Sequence, residues 1–401
     1  MSDRLTLMRH GSPDSRRSGN AEPRPRPKNA ATLVFLPILL TLFHACSPLG
    51  AWDLLRAQSQ ATKRLSVDLS QIAQSQDLAD FPILIRLNPS TFPYTECRPD
   101  GLDLRVVAED GTTPLAFERE AWNPSGQTNL WVKLPLLAAS PAITRIWLYF
   151  GDDQSRDSSN PAAVWSNGYL IVLHGRGALD ASGVMRYTNS LGTNGPGSPG
   201  PYAAPTDAPG ASPPGGDDFG FGAGTAFKSG MIFPVSTALN DLPHLTFEAW
   251  IRDNGTTVGG MLFFKGANLN LSIQSAEAIR FAVAFSSTAL QADSPTAFLA
   301  AGSWRHLALT WDGSSAVAMY GDGQAVSPVL TASSGVRLSD SADQLEIGND
   351  DKPAVAPGNL TADMDEIRIS NVARSAAWIE ASYLSQSADR LVFGSEEDLP
   401  K

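Results

Sequence analysis

The chain has 401 residues, of which 42% are hydrophobic and 18% charged, and its formal net charge is −11. This length is enough for about two or three domains that each bury a core, which predicts a globular protein. Because an acidic protein repels phosphate backbones, the charge argues against nucleic acid as a partner.

The N-terminal segment differs in charge from the rest of the chain. Residues 1–28 carry seven basic and three acidic side chains, a net charge of +4 that leaves −15 for the remainder. An uncharged, mostly apolar run of fourteen residues follows, from Ala30 to Phe43. A transmembrane helix needs about 20 apolar residues, whereas a shorter run is typical of an export signal. Residues 1–51 are therefore predicted to be an export leader, with Met8 or a later residue as an alternative start.

Two cysteines occur, Cys46 and Cys97. Cys46 closes the apolar run in "LFHACS", which resembles the lipobox of bacterial lipoproteins, although Phe43 and His44 depart from that pattern. We expect either lipidation at Cys46 or a plainly cleaved leader, and both outcomes leave Cys97 unpaired. The predicted location is outside the cytoplasm, as an outer-membrane lipoprotein, a periplasmic protein or a secreted protein.

From about Leu65 onward, short apolar runs alternate with turn residues. "FPILIRL", "LDLRVVA", "NLWVKLPLL" and "ITRIWLYFG" have the length and bounds of β-strands. In the second half, "HLTFEAWIR" and "AIRFAVAF" alternate apolar residues on one face, and "WRHLALTWDG" precedes a hairpin partner, "AVAMYGDG". Antiparallel strands in this number predict an all-β fold, either a sandwich or a jelly roll.

A tract rich in Pro and Gly interrupts this pattern. Residues 192–218 hold seven Gly and seven Pro in 27 positions, a composition typical of a disordered linker between domains.

Two family resemblances cover the rest of the chain. "DFPILIRLN", "DGLDLRVVAEDGTTPLAFEREAWNPSGQTNLWVKLPLL", "RIWLYFGDD" and "NPAAVWSNGY" resemble the bacterial domain of unknown function 2341, predicted over residues 62–160. "LTFEAWIR", "SWRHLALTWDG", "LEIGND" and "MDEIRISNVARSAAWIEASY" resemble the laminin-G-like branch of the concanavalin A-like jelly rolls, predicted over 165–397. In that branch the first strand, here "GYLIVLHGRGALDASG", lies well before the "FEAW" strand. The resemblance thus implies that residues 192–218 are a loop inside the jelly roll.

The predicted fold is an N-terminal β-sandwich module followed by a concanavalin A-like antiparallel jelly roll with one short C-terminal helix. That helix is "SNVARSAAWIEASYLSQS", in which Ser375 is the expected N-cap. Trp378, Ile379 and Tyr383 follow a stripe at helical spacing, so we expect the helix to pack on the sandwich.

Three carboxylates in "DMDEIRIS" are the candidates for chemistry. In a regular strand, Asp363 and Asp365 share one face with two isoleucines, and Glu366 lies with Arg368 on the opposite, solvated face. A retaining glycosidase needs two carboxyl groups about 5 to 5.5 Å apart on the same side of the sugar. This split therefore argues against a jelly-roll glycoside hydrolase, which is kept as an alternative.

Asp365 is the predicted metal-binding residue. On an apolar face its charge needs a partner, either Ca²⁺ or backbone N–H groups. The laminin-G resemblance implies a structural Ca²⁺ at the matching aspartate. The acidic stretch Asn349–Asp351 is either a second metal loop or a solvated turn.

Other motifs that carry chemistry are not found in the sequence. The five histidines have no metal-ligand spacing, and there is no nucleophile elbow, phosphate loop or zinc motif. Trp250, Trp304 and Tyr320 are either platforms for sugar rings or core residues.

We therefore predict a non-catalytic, exported or envelope-anchored recognition protein that binds a glycan or a protein at the bacterial cell surface. The module pairing resembles proteins found beside proton-channel subunits of the ExbB/TolQ type, which implies a periplasmic accessory or sensor of such a complex as the alternative.

Overall fold

Most of the described chain forms β-strands, as the alternating apolar runs predict. The computed structural model describes residues 60–400, except 73, 155, 176–177, 180, 183–184, 193–197, 200–205, 209–217, 222–229, 255–259, 349–359 and 388. In chain order the elements are β1 (Lys63–Asp68), β2 (Leu78–Leu87), β3 (Arg105–Ala108), β4 (Phe117–Ala121), β5 (Thr128–Leu137), β6 (Arg145–Phe150), α1 (Pro161–Val164), β7 (Tyr169–Leu173), β8 (Ala178–Leu179), β9 (Met185–Arg186), β10 (Ser198–Pro199), β11 (Thr206–Ala208), β12 (Asp218–Phe221), β13 (Met231–Phe233), β14 (Leu245–Asp253), β15 (Met261–Lys265), β16 (Leu269–Ile273), β17 (Ile279–Val283), β18 (Leu290–Asp293), β19 (Trp304–Trp311), β20 (Val317–Gly321), β21 (Gln324–Val326), β22 (Val329–Thr331), β23 (Leu345–Ile347), β24 (Ala362–Ser370), α2 (Ala376–Ser387) and β25 (Val392–Asp398). The predicted all-β class is confirmed.

The first module is a β-sandwich of two antiparallel sheets. One sheet has the order β25-β1-β6-β3, and the other has the order β2-β5-β4. All residues are buried in Phe81–Ile85 of β2 and in Thr128–Val132 of β5. Because successive side chains of a strand point to opposite faces, the three-stranded sheet must be covered on both sides.

The jelly roll consists of two larger antiparallel sheets. The inner sheet has the order β11-β12-β24-β14-β19-β20-β21, with β7 also paired to β24, and the outer sheet has the order β10-β13-β23-β15-β16-β17-β18-β22. The core between them contains the apolar faces predicted for β14 and β17, and the predicted hairpin of β19 and β20 is present. From the Pro- and Gly-rich tract, β10 pairs in the outer sheet and β11 in the inner sheet.

The two modules share a hydrophobic core. Apolar residues of the inner sheet and of α2 join the cluster that fills the first module, among them Ala308, Tyr320 and Ile379. The ring of Phe81 meets the ring of Trp378 edge to face, with 4.9 Å between centroids. The second face of the three-stranded sheet is thus covered by the jelly roll and by α2. The predicted N-cap of α2 is present, since Oγ of Ser375 accepts the N–H of Trp378.

The last strand returns to the first module. β25 pairs with β1, placing Lys63 opposite Asp398, and ion pairs join Lys63 to Glu396 at 2.5 Å and Arg64 to Glu397 at 2.6 Å. This strand lies at the end of the range predicted for the jelly roll. Its sequence "VFGSEED" has no apolar alternation that would indicate its partner.

A β-bulge overturns the predicted faces of β24. Asp365 pairs with Trp250 and Arg368 pairs with Glu248, so two residues of β24 lie opposite Ala249. Glu366 takes the extra position with a φ of +52°. Met364 lies in the jelly-roll core together with Ile367 and Ile369, which a regular two-residue period would not allow.

The predicted environment of two acidic residues is therefore wrong. Asp365, next to Met364, points away from the core in which it was expected to lie beside isoleucines. Glu366 was expected in solvent, but it is only 2% exposed.

Candidate functional site

Charged side chains from both modules meet where the three-stranded sheet packs on the inner sheet. Glu118 lies on β4, and Glu120 is the extra residue of a β-bulge in that strand, since Arg119 pairs with Leu130 and Ala121 with Asn129. Both glutamate side chains lie on the side toward the jelly roll, where they approach His174. His174 directly follows β7, and the bulge in β24 turns Glu366 toward it. We call Glu118, Glu120, His174, Glu366 and Arg368 the junction cluster.

His174 bridges the two modules. Its Nδ1 lies 2.9 Å from both carboxylate oxygens of Glu366, and its Nε2 lies 3.2 Å from Oε2 of Glu118. Oε2 of Glu120 is 3.9 Å from Nδ1. Only 10% of the imidazole side chain is exposed, so these contacts are shielded from solvent.

Neighbouring donors orient the two carboxylates of β4. Glu118 accepts hydrogen bonds from Nε1 of Trp165 at 2.5 Å and from Oγ of Ser190 at 2.7 Å. Glu120 accepts hydrogen bonds from Nδ2 of Asn129 at 3.1 Å and from Nε1 of Trp131 at 2.9 Å. These bonds satisfy buried acceptors and hold the carboxylates in place.

Arg368 supplies the fixed positive charge. Its Nη2 donates to Oε2 of Glu366 at 2.6 Å, and both side chains are 2% exposed. The guanidinium carbon lies 4.3 Å from the centre of the Trp131 ring and 5.2 Å from that of Trp165, within the range of cation–π attraction. The predicted pairing of Glu366 with Arg368 is therefore present, in the interior and not in solvent.

The pKa values of these groups follow from burial and from their neighbours. Burial opposes ionisation of Glu366 and Glu118, but the charge of His174 keeps the pKa of each below its usual value. Burial also acts against the charged imidazole, yet Glu366 and Glu118 raise the pKa of His174 well above 6.5. For Glu120, burial and repulsion by Glu366 raise the pKa to about 7.

The predicted metal-binding residue lies outside the junction cluster. Asp365 is 1% exposed, and its Oδ1 accepts the N–H of Glu366 at 2.8 Å. This contact supports the backbone-bonded alternative, and calcium at Asp365 stays a prediction. Asp363 pairs with Arg252 at 2.6 Å. Asn349–Asp351 and Cys46 lie outside the described residues.

Two of the three predicted aromatic platforms are core residues. Trp250 and Tyr320 are 2% and 6% exposed, because α2 and the first module cover the inner sheet. Nε1 of Trp250 donates to Oε1 of Gln386 in α2 at 3.0 Å. Trp304 is half-buried, with Arg252 stacked at 5.1 Å from its ring.

Sequence reasoning missed Glu118, Glu120 and His174. The partners of His174 are 56 and 192 residues away in the chain, so no local spacing connects them. The one local signal is "FEREA", in which two glutamates lie two positions apart in a short strand.

Three side chains of the junction cluster have the arrangement of metal ligands. Ligand atoms of Glu120, His174 and Glu366 all lie within 4.8 Å of one another. In chemical terms the cluster can hold charge between the modules and can hold a cation.

The fold defines the class of the protein: a two-module, all-β protein with a concanavalin A-like jelly roll. Residues 228–380 match the model of the concanavalin A-like lectin/glucanases superfamily, and residues 100–171 match the model of domain of unknown function 2341. The two resemblances stated from the sequence are confirmed, in the predicted order.

Solved structures with similarity to this chain include two toxin binding domains. The binding domain of Paraclostridial Mosquitocidal Protein 1 is 12% identical, with a TM-score of 0.40 over 55% of this chain and 52% of that chain. The binding domain of Botulinum neurotoxin DC, solved with rat synaptotagmin II, is 12% identical, with a TM-score of 0.39 and the same coverage. The chain thus spans about half the length of these structures. No curated protein matches the sequence.

Neither helix in the described part of the chain has the length and apolar character needed to cross a bilayer.

Proposed function

We propose that the protein is a non-catalytic recognition protein whose jelly roll binds a glycan on the outer sheet. The observation that carries this proposal is the polar surface of β16, β17 and β18. Their core-facing side chains, such as Leu271 and Phe281, are fully buried, whereas Asn270, Arg280 and Gln291 are half-buried on the opposite face. The inner sheet offers no comparable face in its described strands, because the first module covers it.

Side chains on this outer face are in register across the strands. Asn270 pairs with Ala282, and Ala282 pairs with Gln291, so two amides flank one small residue. Each amide group both donates and accepts hydrogen bonds, as neighbouring sugar hydroxyls require. In the next row, Arg280 and Asp293 form a two-bond ion pair, at 2.7 and 2.9 Å.

A pocket of about 190 Å³ adjoins the row that contains Asn270, Ala282 and Gln291. Phe264, which pairs with Asn270, lines it together with Val235, Asp343 and Glu346. An apolar ring beside carboxylates suits a sugar, which has both apolar faces and hydroxyl groups.

The burial of the β24 carboxylates supports a non-catalytic role. Glu366 is bound to His174 and Arg368, Asp363 is bound to Arg252, and Asp365 is bound to a backbone N–H. A pair of glycosidase carboxylates must reach both sides of a glycosidic bond, which these buried groups do not offer.

Glycan-array binding by the full chain tests the proposal. We expect Asn270→Ala and Gln291→Ala each to weaken the bound glycan up to about tenfold, since one hydrogen bond contributes about 0.5–1.5 kcal/mol. Gln324→Ala, an exposed amide of the inner sheet, is the matched control and should bind normally. Binding of a protein ligand in place of any glycan would favour the protein-recognition alternative. Release of reducing sugar from a β-glucan would contradict the non-catalytic assignment.

We also propose that the leader directs export. Labelling with a palmitate analogue should mark the wild type and not Cys46→Ser if the chain is a lipoprotein, and absence of label would favour a soluble exported protein. Copurification of an ExbB/TolQ-type subunit would support the accessory role. For the proposed structural Ca²⁺, added calcium should raise the melting temperature of chelator-treated wild type but not of Asp365→Asn.

A further inference from the structure

The junction cluster holds more negative than positive fixed charge. Glu118, Glu120 and Glu366 contribute three carboxylates, and Arg368 contributes one guanidinium, while at most 10% of each side chain is exposed. Uncompensated charge is costly in such a buried position. A metal ion at Nδ1 requires a neutral imidazole. With His174 in that state, two positive charges are needed to balance the cluster, in place of the two protons that neutralise it without an ion.

We propose that Glu120, His174 and Glu366 bind one divalent transition-metal ion, with Zn²⁺ as the best match, at the junction of the two modules. A single divalent ion supplies the two missing charges. One imidazole nitrogen with two carboxylates is a ligand set that Zn²⁺ takes, whereas Ca²⁺ takes oxygen ligands and not imidazole.

Distances within the cluster suit this ion. Nδ1 of His174 is 2.9 Å from Glu366 and 3.9 Å from Glu120, and all three ligand atoms lie within 4.8 Å of one another. Zn–N and Zn–O bonds of about 2.1 Å at tetrahedral angles place neighbouring ligand atoms about 3.4 Å apart. A small adjustment of the Glu366 side chain therefore opens the position for the ion.

Each ligand keeps its other contacts when the ion is bound. Glu366 can offer Oε1, which is 2.9 Å from Nδ1, while its Oε2 stays on Nη2 of Arg368. Oε2 of Glu120 accepts one N–H, from Trp131, and a carboxylate oxygen has a second lone pair.

The surroundings of His174 resemble those of a metal-ligating histidine. A ligand at Nδ1 requires the proton on Nε2, and Nε2 points at Oε2 of Glu118, 3.2 Å away. Metal-ligating histidines commonly donate their second N–H to a carboxylate, which fixes the tautomer and the ring. Glu118 is thus a positioning residue, held by Trp165 and Ser190.

The ligands come from both modules. Glu120 lies on β4 of the first sandwich, whereas His174 follows β7 and Glu366 lies on β24 of the jelly roll. A bound ion therefore fixes the two modules to each other.

Calorimetric titration with Zn²⁺ alone tests the proposal. The full chain is purified without a histidine tag and stripped with a chelator before the titration. We expect one ion per chain, a higher melting temperature with Zn²⁺, and a larger loss of affinity in His174→Gln and in Glu120→Gln than in Glu118→Gln. Glu118→Gln should retain the ion with about 10- to 100-fold lower affinity. The matched controls His244→Gln and Glu109→Gln, both exposed, should bind as the wild type does.

Co²⁺ in place of Zn²⁺ gives a readout on the unaltered chain, in case a variant does not fold. A visible absorption band of the Co²⁺-loaded wild type that disappears on addition of one equivalent of Zn²⁺ would support a single specific site. Folded wild type that takes up neither ion would overturn the proposal and leave the cluster neutralised by two protons. Equal uptake by folded His174→Gln would overturn it as well.

Discussion

Burial determines what each charged residue contributes to this protein. Glu109 and Arg145 form an ion pair on the surface at 3.4 Å, where water screens both charges. Glu366 and Arg368 form an ion pair in the interior, where neither charge has access to water. Loss of one partner therefore has very different consequences at the two places.

We expect Glu366→Ala to lower the free energy of unfolding by about 3–5 kcal/mol, because Arg368 is left buried without its carboxylate. Denaturant-induced unfolding of the full chain measures this change. Glu109→Ala is the control, with an expected loss of at most about 1 kcal/mol. A loss of under about 1 kcal/mol for Glu366→Ala would instead agree with the solvated position expected from a regular strand.

The buried side chain of His306 makes the free energy of unfolding depend on pH. It is 1% exposed on β19, among Glu248, Tyr383 and Arg368. Burial, together with the charge of Arg368, lowers the pKa of His306 to about 3. The imidazole of His306 therefore stays neutral in the folded state at pH values where it is already protonated in the unfolded chain, in which its pKa is about 6.5.

The neutral, buried imidazole of His306 therefore does not destabilise the folded state above about pH 6.5. As the pH falls from 6.5 toward 3, the free energy of unfolding decreases by about 1.4 kcal/mol for each pH unit, because only the unfolded chain takes up the proton. Unfolding curves between pH 7 and pH 4 measure the slope. His306→Gln should reduce that slope. An unchanged slope in the folded variant would assign the acid sensitivity to other groups.

At the scale of elements, β25 completes the first module from the far end of the chain. Without it, β1 would be an exposed edge strand, which is prone to pair with other chains. Its ladder with β1 has five paired residues and one irregularity, and three acidic side chains face Lys63 and Arg64.

We expect deletion of residues 392–401 to lower the free energy of unfolding by about 2 kcal/mol or more, since several ladder hydrogen bonds of about 0.5–1.5 kcal/mol each are lost. Thermal unfolding and light scattering measure stability and aggregation. As a control, the triple change Glu396→Gln, Glu397→Gln and Asp398→Asn keeps the strand and removes only exposed ion pairs, so its effect should be smaller. Equal losses in both variants would show that charge, and not strand pairing, holds β25.

At the scale of the described molecule, the shared core couples the modules. Apolar residues of β2 and β5 lie in one cluster with residues of β19, β20 and α2. Separation of the modules would expose this surface and the junction cluster to water, which is costly for both.

We therefore expect residues 60–400 to unfold in one cooperative transition. Calorimetry of the full chain should show a single peak for these residues, with equal calorimetric and van't Hoff enthalpies. Trp131→Ala, at the junction, should shift the whole transition to lower temperature. Two peaks, of which Trp131→Ala moves one only, would contradict the coupling.

The sequence by itself determined the all-β class and many of the elements of the protein. Several strands of both modules, such as β2, β5, β6 and β14, the hairpin of β19 and β20 and the capped helix α2 follow from alternation and turn signals, which depend on neighbours in the chain. The family resemblances added the order of the modules, because their motifs are local as well. The apolar faces of β14 and β17 could be assigned for the same reason.

Only the tertiary structure decided where the acidic residues lie and what they contact. One extra residue in β24 turned Glu366 toward His174 and removed Asp365 from the face of the isoleucines, and a two-residue period cannot indicate such a bulge. The junction cluster joins residues up to 192 positions apart, and β25 pairs with a strand at the other end of the described chain. Both arise from the packing of one module on the other, and local sequence patterns do not encode that packing.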